Sequence, residues 1–142
     1  MSVRQQSITL RNDMAEIPRL ADFVEEFCQP LAPTAKGLHS LQLALEEAVT
    51  NVMTHGYGEG KPGSLTVSLE ASAEGRLTAI ISDSAPPYDP LARPPVDTTG
   101  SLEEREIGGL GVHFMKKLMD AVRYERRDDH NILTLECRPG RT

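Results

Sequence analysis

Two cysteines, no apolar run of membrane-spanning length and a shortage of basic side chains bound what this 142-residue chain can be. Cys28 and Cys137 are too few and too far apart in sequence for a disulfide framework or a zinc site. Both sit among apolar neighbours, so they read as small core residues in a reducing compartment. The N-terminal stretch MSVRQQSITLRND lacks the apolar segment of a signal peptide, which predicts a cytoplasmic protein with no membrane partner. Fifteen Lys and Arg stand against 21 Asp and Glu, a formal net charge of −6. That argues against a nucleic-acid surface, which needs clustered basic side chains. It leaves nucleotides open, because backbone amides and a metal ion can hold phosphate without them. Neither a GxxxxGK[ST] loop nor a Rossmann fingerprint occurs.

What is present describes an ordinary globular domain: 39% hydrophobic and 25% charged residues over a length that buries a core without staples. A single domain over residues 1–142 is expected. Residues 3–11 alternate weakly and read as a first strand, followed by Asn12 or Asp13 as an N-cap. Ile17, Leu20, Ala21, Val24, Phe27 and Cys28 recur at helical spacing, with Pro18 in the first turn and Pro30 and Pro33 ending the helix. Thr34 caps a second helix whose apolar face is Leu38, Leu41, Leu45, Ala48, Val49 and Val52. Gly56, Gly58, Gly60 and Gly63 with Pro62 break it. Two strand-like runs follow, 64–71 and 76–83, joined at Glu74-Gly75. The second is apolar enough for the middle of a sheet.

Residues 84–106 are rich in Pro, Asp and Glu, and a loop of that length in a compact domain is usually a lid or a mobile segment. IGGLGVHFMKKLMDAV then opens a third helix with Leu110, Phe114, Leu118 and Met119 as its stripe, closed at Asp120. Two last strands, 121–126 and 132–138, flank a turn at Asp128-Asp129-His130-Asn131. The order strand, helix, helix, two strands, loop, helix, two strands predicts an α+β two-layer sandwich, a mostly antiparallel sheet with helices on one face. A doubly wound parallel sheet would need a regular strand–helix alternation that is absent.

Three features could carry chemistry. On the second helix Glu47 and Asn51 lie one turn apart at the edge of the apolar face, whereas Glu46 falls nearly opposite it. A carboxamide oxygen suits Mg²⁺, and a carboxylate beside it could take a proton from a hydroxyl. Taken alone, the pair better fits the polar edge of a core helix, and His55 near that face fits a structural histidine. Asp83 ends an apolar strand, where it could accept from an exocyclic amine or simply start a turn. Gly108, Gly109 and Gly111 let backbone approach a phosphate at a helix start, a weak pattern by itself.

In that order and at those separations the three resemble the anti-sigma regulatory factors and serine-protein kinases of the GHKL (Bergerat-fold, histidine-kinase-like) ATPases. EEAVTNVMTHGYGEG resembles the N-box of that family, DSAPPYDP its first glycine box and REIGGLGVHFMKKLMD its second, so the likeness covers nearly the whole chain. It implies ATP and Mg²⁺ as cofactors, with Asn51 the metal ligand and Glu47 the base that activates a substrate serine hydroxyl. Asp83 would recognise the adenine amine, with His55 and Ala85 in the same nucleotide site. Gly108, Gly109 and Gly111, with Leu110 beside them, would let a lid at about 84–108 and the helix start that follows fold over the phosphates, and Arg105, at looser spacing, would approach the terminal phosphate.

One departure stands out. The first glycine box usually reads Asp-x-Gly, and here the third residue is Ala85, whose methyl group a negative φ tolerates and a left-handed φ does not. The implied function is a serine/threonine protein kinase acting on a STAS-type anti-sigma antagonist while binding a sigma factor or similar regulator, with homodimerisation implied too. A nucleotide-gated binding module without catalysis, a detached histidine-kinase ATPase domain and a fold relative that binds no nucleotide remain the alternatives.

Overall fold

β1 (Ser2–Arg11) runs along β2 (Ser64–Ser72), and the alternation of its residues decides which face meets the helices. Leu10 and Ile8 lie opposite Leu65 and Val67, on the side the helices cover, while Thr9 and Ser7 lie opposite Thr66 and Ser68 on the other. The computed structural model describes residues 2–92 and 115–140. Among these, five strands form one sheet in the order β1-β2-β3-β5-β4, with every pairing antiparallel. β3 (Leu77–Asp83) takes the centre, as its apolar content requires, between β2 and β5 (His130–Cys137), and β4 (Ala121–Arg127) forms the far edge.

The chain leaves β1 through a turn in which Asp13, not Asn12, is the cap: its Oδ1 accepts from the Ala15 amide at 2.9 Å. A short 3₁₀ turn leads into α1 (Ile17–Cys28), with Pro18 in its first turn. Leu20, Val24, Phe27 and Cys28 form the buried stripe. Arg4 of β1 lies over the Phe27 ring, 3.9 Å from its centroid, and also donates to the Phe27 carbonyl. Thr34 caps α2 (Ala35–Asn51) by accepting from the Gly37 amide at 2.8 Å, so Gly37 sits buried in the first turn and does not delay the helix.

The helix does not break at Gly56. Residues Val52–Tyr57 continue it in π-helical winding, which closes where the Gly58 amide donates to the Met53 carbonyl at 3.1 Å. Such winding changes the register of side chains around the axis and is frequent at functional sites.

Two other expectations shift. The last hairpin turns on two residues, Asp128 and Asp129, both at positive φ (53° and 63°), a conformation short acidic side chains tolerate. Pairing therefore begins at Arg127 opposite His130, and Asn131 belongs to a strand. Of the third helix, residues 115–118 are described as helical, with Met115 and Met119 buried in the core; Leu110 and Phe114 lie outside the described residues.

The core fills the space between α1, α2 and the inner face of the sheet. Cys28 and Cys137 are free thiols within it, pushed up by burial to about 11 and about 12, so both stay protonated and act as packing. No described helix is long and apolar enough to cross a membrane.

The segment after α2 is held to the sheet by close contacts. The Asn12 side-chain Nδ2 donates to the carbonyls of Gly58 (3.0 Å) and Lys61 (2.7 Å), and the Tyr57 ring packs close to Gly63. A Cβ on Gly63 would stand 2.7 Å from that ring. Gly63→Ala is therefore expected to destabilise the protein by about 1–3 kcal/mol, the usual range for overpacking. Urea unfolding measures it, and an unchanged midpoint would mean that the Tyr57 ring yields without cost.

Candidate nucleotide site

Alternation along β3 buries Leu77, Ala79, Ile81 and Asp83 in turn, so the strand that supplies core leucines also carries a carboxylate under the helices. Asp83 is 5% exposed. Directly across the ladder on β5 stands Asn131, also 5% exposed, on the same inward face as Leu133 and Leu135. The two side chains meet: Asn131 Nδ2 donates to Asp83 Oδ1 at 2.9 Å. The Ala85 amide donates to that same oxygen at 2.9 Å. Asp83 Oδ1 is thus occupied twice, and neither of these bonds uses Oδ2.

Asp83 and Asn131 line an open pocket whose other walls come from the end of α2, from β3, β4 and β5, and from the loop after Asp83. Val52, Ile81, Leu133 and Pro90 make apolar walls, with Tyr88 and Tyr124 among them. Asn51 lines the same pocket, 5% exposed, and its Nδ2 has no hydrogen-bond partner among the described residues. A buried amide without a partner costs free energy unless a ligand or water supplies one. An amide terminus offers an oxygen to a cation or an NH₂ to a phosphate.

Glu47, one turn earlier on α2, is half-buried. Burial, with the Glu46 charge adding to it, pushes its carboxyl above the ordinary value, which suits a group that must take up a proton. His55 is stacked on Tyr88, ring centroids 5.7 Å apart and 22° between planes, beside the pocket. Arg105, Gly108, Gly109, Leu110 and Gly111 lie outside the described residues, as does most of the expected lid. The structure thus brings Asn51 and Asp83 to one pocket, with Glu47 and His55 on the same helical segment.

Ala85 is not among the residues with positive φ, so its methyl group is not strained. It is fully buried, and an ideal Cβ on Gly56 would lie 3.2 Å from it. A glycine in the π-helical turn has made room for the alanine in the loop. The Ala85 carbonyl accepts from Arg126 Nη1 at 2.7 Å and from Asn131 Nδ2 at 3.2 Å, which fixes the turn that follows Asp83.

Sequence reasoning missed Asn131, Tyr124 and the part played by Tyr57. The Tyr57 hydroxyl donates to the Ser64 carbonyl (2.7 Å) and accepts from the Ser84 amide (3.0 Å), tying the end of α2 to the start of β2 and the end of β3. Asn131 was hidden inside an assumed four-residue turn. Recognising Asp128-Asp129 as the whole turn and counting by two from Leu133 would have placed it inward. No cluster of three His, Cys, Asp or Glu side chains suited to a metal occurs among the described residues. A cation here would come with phosphates, as Mg²⁺ commonly does.

The chain is similar to proteins of known activity. A family profile described as histidine kinase-like ATPase domain matches residues 10–137. A serine/threonine-protein kinase, BtrW, of Bordetella bronchiseptica is 31% identical over 96 residues, 68% of this chain and 67% of that protein. An anti-sigma F factor of Clostridium kluyveri is 37% identical over 105 residues, 72% of this chain and 70% of that protein. The crystal structure of the RsbU and RsbW domains of Rv1364c from Mycobacterium tuberculosis superposes with a TM-score of 0.69 at 16% identity, covering 99% of this chain and 34% of that one. At that identity the likeness speaks for the fold.

Because the two methyl positions face each other, Gly56→Ala and Ala85→Gly should not be additive. Gly56→Ala alone is expected to destabilise by about 1–3 kcal/mol, and adding Ala85→Gly should recover part of that loss. A double-mutant cycle by urea unfolding reads the coupling. A sum of the two single effects would mean that the contact carries no energy.

Proposed function

Because the chain belongs to the histidine kinase-like ATPase domain family, together with anti-sigma factors and serine-protein kinases, we propose that it binds ATP with Mg²⁺ and phosphorylates a protein on serine or threonine. In this reading the protein substrate is a STAS-type antagonist, and a sigma factor or similar regulator is the partner it sequesters. The observation that carries the reading is one pocket lined both by a fixed carboxylate and by a buried amide whose nitrogen has no hydrogen-bond partner among the described residues.

An aspartate carboxylate only accepts hydrogen bonds, so Asp83 Oδ2 suits the exocyclic amine of adenine, and the apolar walls suit its faces. Asn51 then lies toward the phosphates. Mg²⁺ bound there would neutralise phosphate charge. Glu47 receives the proton of the substrate hydroxyl as that oxygen bonds to the γ-phosphorus, the bond to the β-phosphate oxygen breaks and ADP leaves. The burial that raises its affinity for a proton favours this step. Arg105 and the glycines from Gly108 to Gly111 complete the reading as contacts to the phosphates. Alanine in the first glycine box gives no reason to prefer a non-catalytic switch, since Ala85 is accommodated without left-handed strain.

Saturating Mg-ATP should raise the unfolding midpoint, since a ligand at a hundred times its Kd stabilises by about 2.7 kcal/mol. Labelled ATP should transfer phosphate to a STAS-type antagonist from the same organism. Glu47→Gln should cut transfer by about 10²–10⁴-fold while ATP-dependent stabilisation persists. Transfer at the wild-type rate from Glu47→Gln would remove the carboxylate from the chemistry.

The same substitution has a stability signature. Burial raises the folded-state pKa of Glu47 above its unfolded value, so stability falls as pH rises from the unfolded to the folded value, and ionised Glu47 remains a cost at higher pH. Glu47→Gln is expected to be more stable than wild type at pH 7, with the difference closing as pH drops below the ordinary carboxylate range. Urea midpoints across that range give the comparison, and a less stable Glu47→Gln at pH 7 would contradict it.

A further inference from the structure

Asn131 has both ends of its amide committed. Nδ2 donates to Asp83 Oδ1 (2.9 Å) and to the carbonyls of Ala85 (3.2 Å) and Pro86 (3.1 Å). Oδ1 accepts from the Tyr88 amide (3.3 Å) and from the Tyr124 hydroxyl. Rotating the amide by 180° would set its oxygen against a carboxylate and two carbonyls, and its NH₂ against two donors. Only one orientation satisfies the surroundings. With no donor to spare, the side chain is not built to touch a ligand. It is built to aim Asp83.

Asp83 Oδ1 is held from two sides, by Asn131 and by the Ala85 amide, so the carboxylate is fixed and Oδ2 is the oxygen these bonds leave for a ligand. We propose that Asn131 is a positioning residue that locks Asp83 as an acceptor at one point of the pocket. The site thereby selects purines with an exocyclic amine at that point over purines with a carbonyl there. A fixed carboxylate oxygen accepts from an amine and repels a carbonyl. A free carboxylate can swing away from the carbonyl, or re-aim at a neighbouring ring N–H, and loses the distinction. Sites built around a hydrogen bond reject analogues that cannot make it for the same reason. The proposal rests on the nucleotide reading of the pocket and deepens it to base selectivity.

The test compares ATP with ITP, which differ at the purine 6-position, on wild type, Asn131→Leu and Asn131→Thr by equilibrium titration in the presence of Mg²⁺. Wild type should favour ATP. Asn131→Leu keeps approximate volume but removes the donor, and the Kd ratio of ITP to ATP should fall by about tenfold or more, in line with loss of a hydrogen bond to a charged group. Asn131→Thr keeps a hydroxyl that can donate to Asp83 and suits a strand, so it should retain most of the ratio. A purely structural role would weaken both nucleotides together and leave the ratio unchanged in Asn131→Leu, which would overturn the proposal. Should Asn131→Leu fail to unfold cooperatively, Asn131→Thr decides: a ratio near wild type supports the proposal and a collapsed ratio overturns it. Wild type that binds neither nucleotide overturns the nucleotide reading and this proposal with it. Wild type that binds both equally overturns the selectivity alone.

Discussion

A carboxylate under two helices must be surrounded by donors, because burying a charge costs several kcal/mol unless hydrogen bonds replace its water. Asp83 meets that condition on one oxygen, through Asn131 and the Ala85 amide. The rest of the site follows from how those two donors are placed. Asn131 can stand opposite Asp83 only because β3 and β5 are antiparallel neighbours in a register that pairs the two residues. The hairpin of two residues at positive φ ends the turn before His130, so that Asn131 lies in β5 and not in the turn. A one-residue slip would turn Asn131 to the outer face and leave Asp83 short of a donor. The Ala85 donor depends on the turn after β3, which Arg126 and Asn131 hold by its carbonyl oxygen.

The part of the pocket lined by the end of α2 is organised by different contacts. Asn51 sits where α2 gives way to π-helical winding, and that winding ends at Tyr57. Tyr57 bridges the Ser64 carbonyl and the Ser84 amide, one residue beyond Asp83. Asn12 draws in the glycine-rich segment from the other side. The helix that carries Glu47 and Asn51 is therefore tied to the strand that carries Asp83 through one phenol and one amide. A residue pair on a helix and an acid on a strand act on one ligand only if their spacing is fixed, and these bonds fix it.

Much of this was legible in the sequence. Period two in 64–71 gave a strand with the observed inward face, the apolar run at 76–83 gave the central strand, and period 3.6 gave both long helices and chose Glu47 over Glu46. Asp83 was readable as a strand-end acid. Three things were not. The glycines after His55 suggested a broken helix, but backbone permissiveness does not say whether a helix stops or changes its winding, and here contact with Asn12 and the sheet decides. Asn12 and Asp13 are equivalent as caps on paper, and only the tertiary contact of Asn12 with Gly58 and Lys61 separates them. Asn131 in DDHN looked like turn chemistry because Asp, His and Asn all suit turns; where the turn ends is settled by pairing with β4.

The two polar ends of the pocket stand in different energetic states. Asn131 and the Oδ1 side of Asp83 are satisfied within the fold, so this end is preorganised and costs nothing to arrange when a ligand arrives. Asn51 has an unpaired buried amide nitrogen, and Glu47 is a carboxylate that burial holds above its ordinary pKa. Both would be improved, for stability alone, by apolar or neutral replacements. Unpaired buried polar groups persist where function supplies the missing partner. A ligand with an amine at one end and a metal-bound polyphosphate at the other would complete Asn51, and a hydroxyl proton would neutralise Glu47. The polar groups left uncompensated are confined to the helix side, where in the proposed reading phosphoryl transfer would occur, and the satisfied carboxylate would be the group that chooses the base.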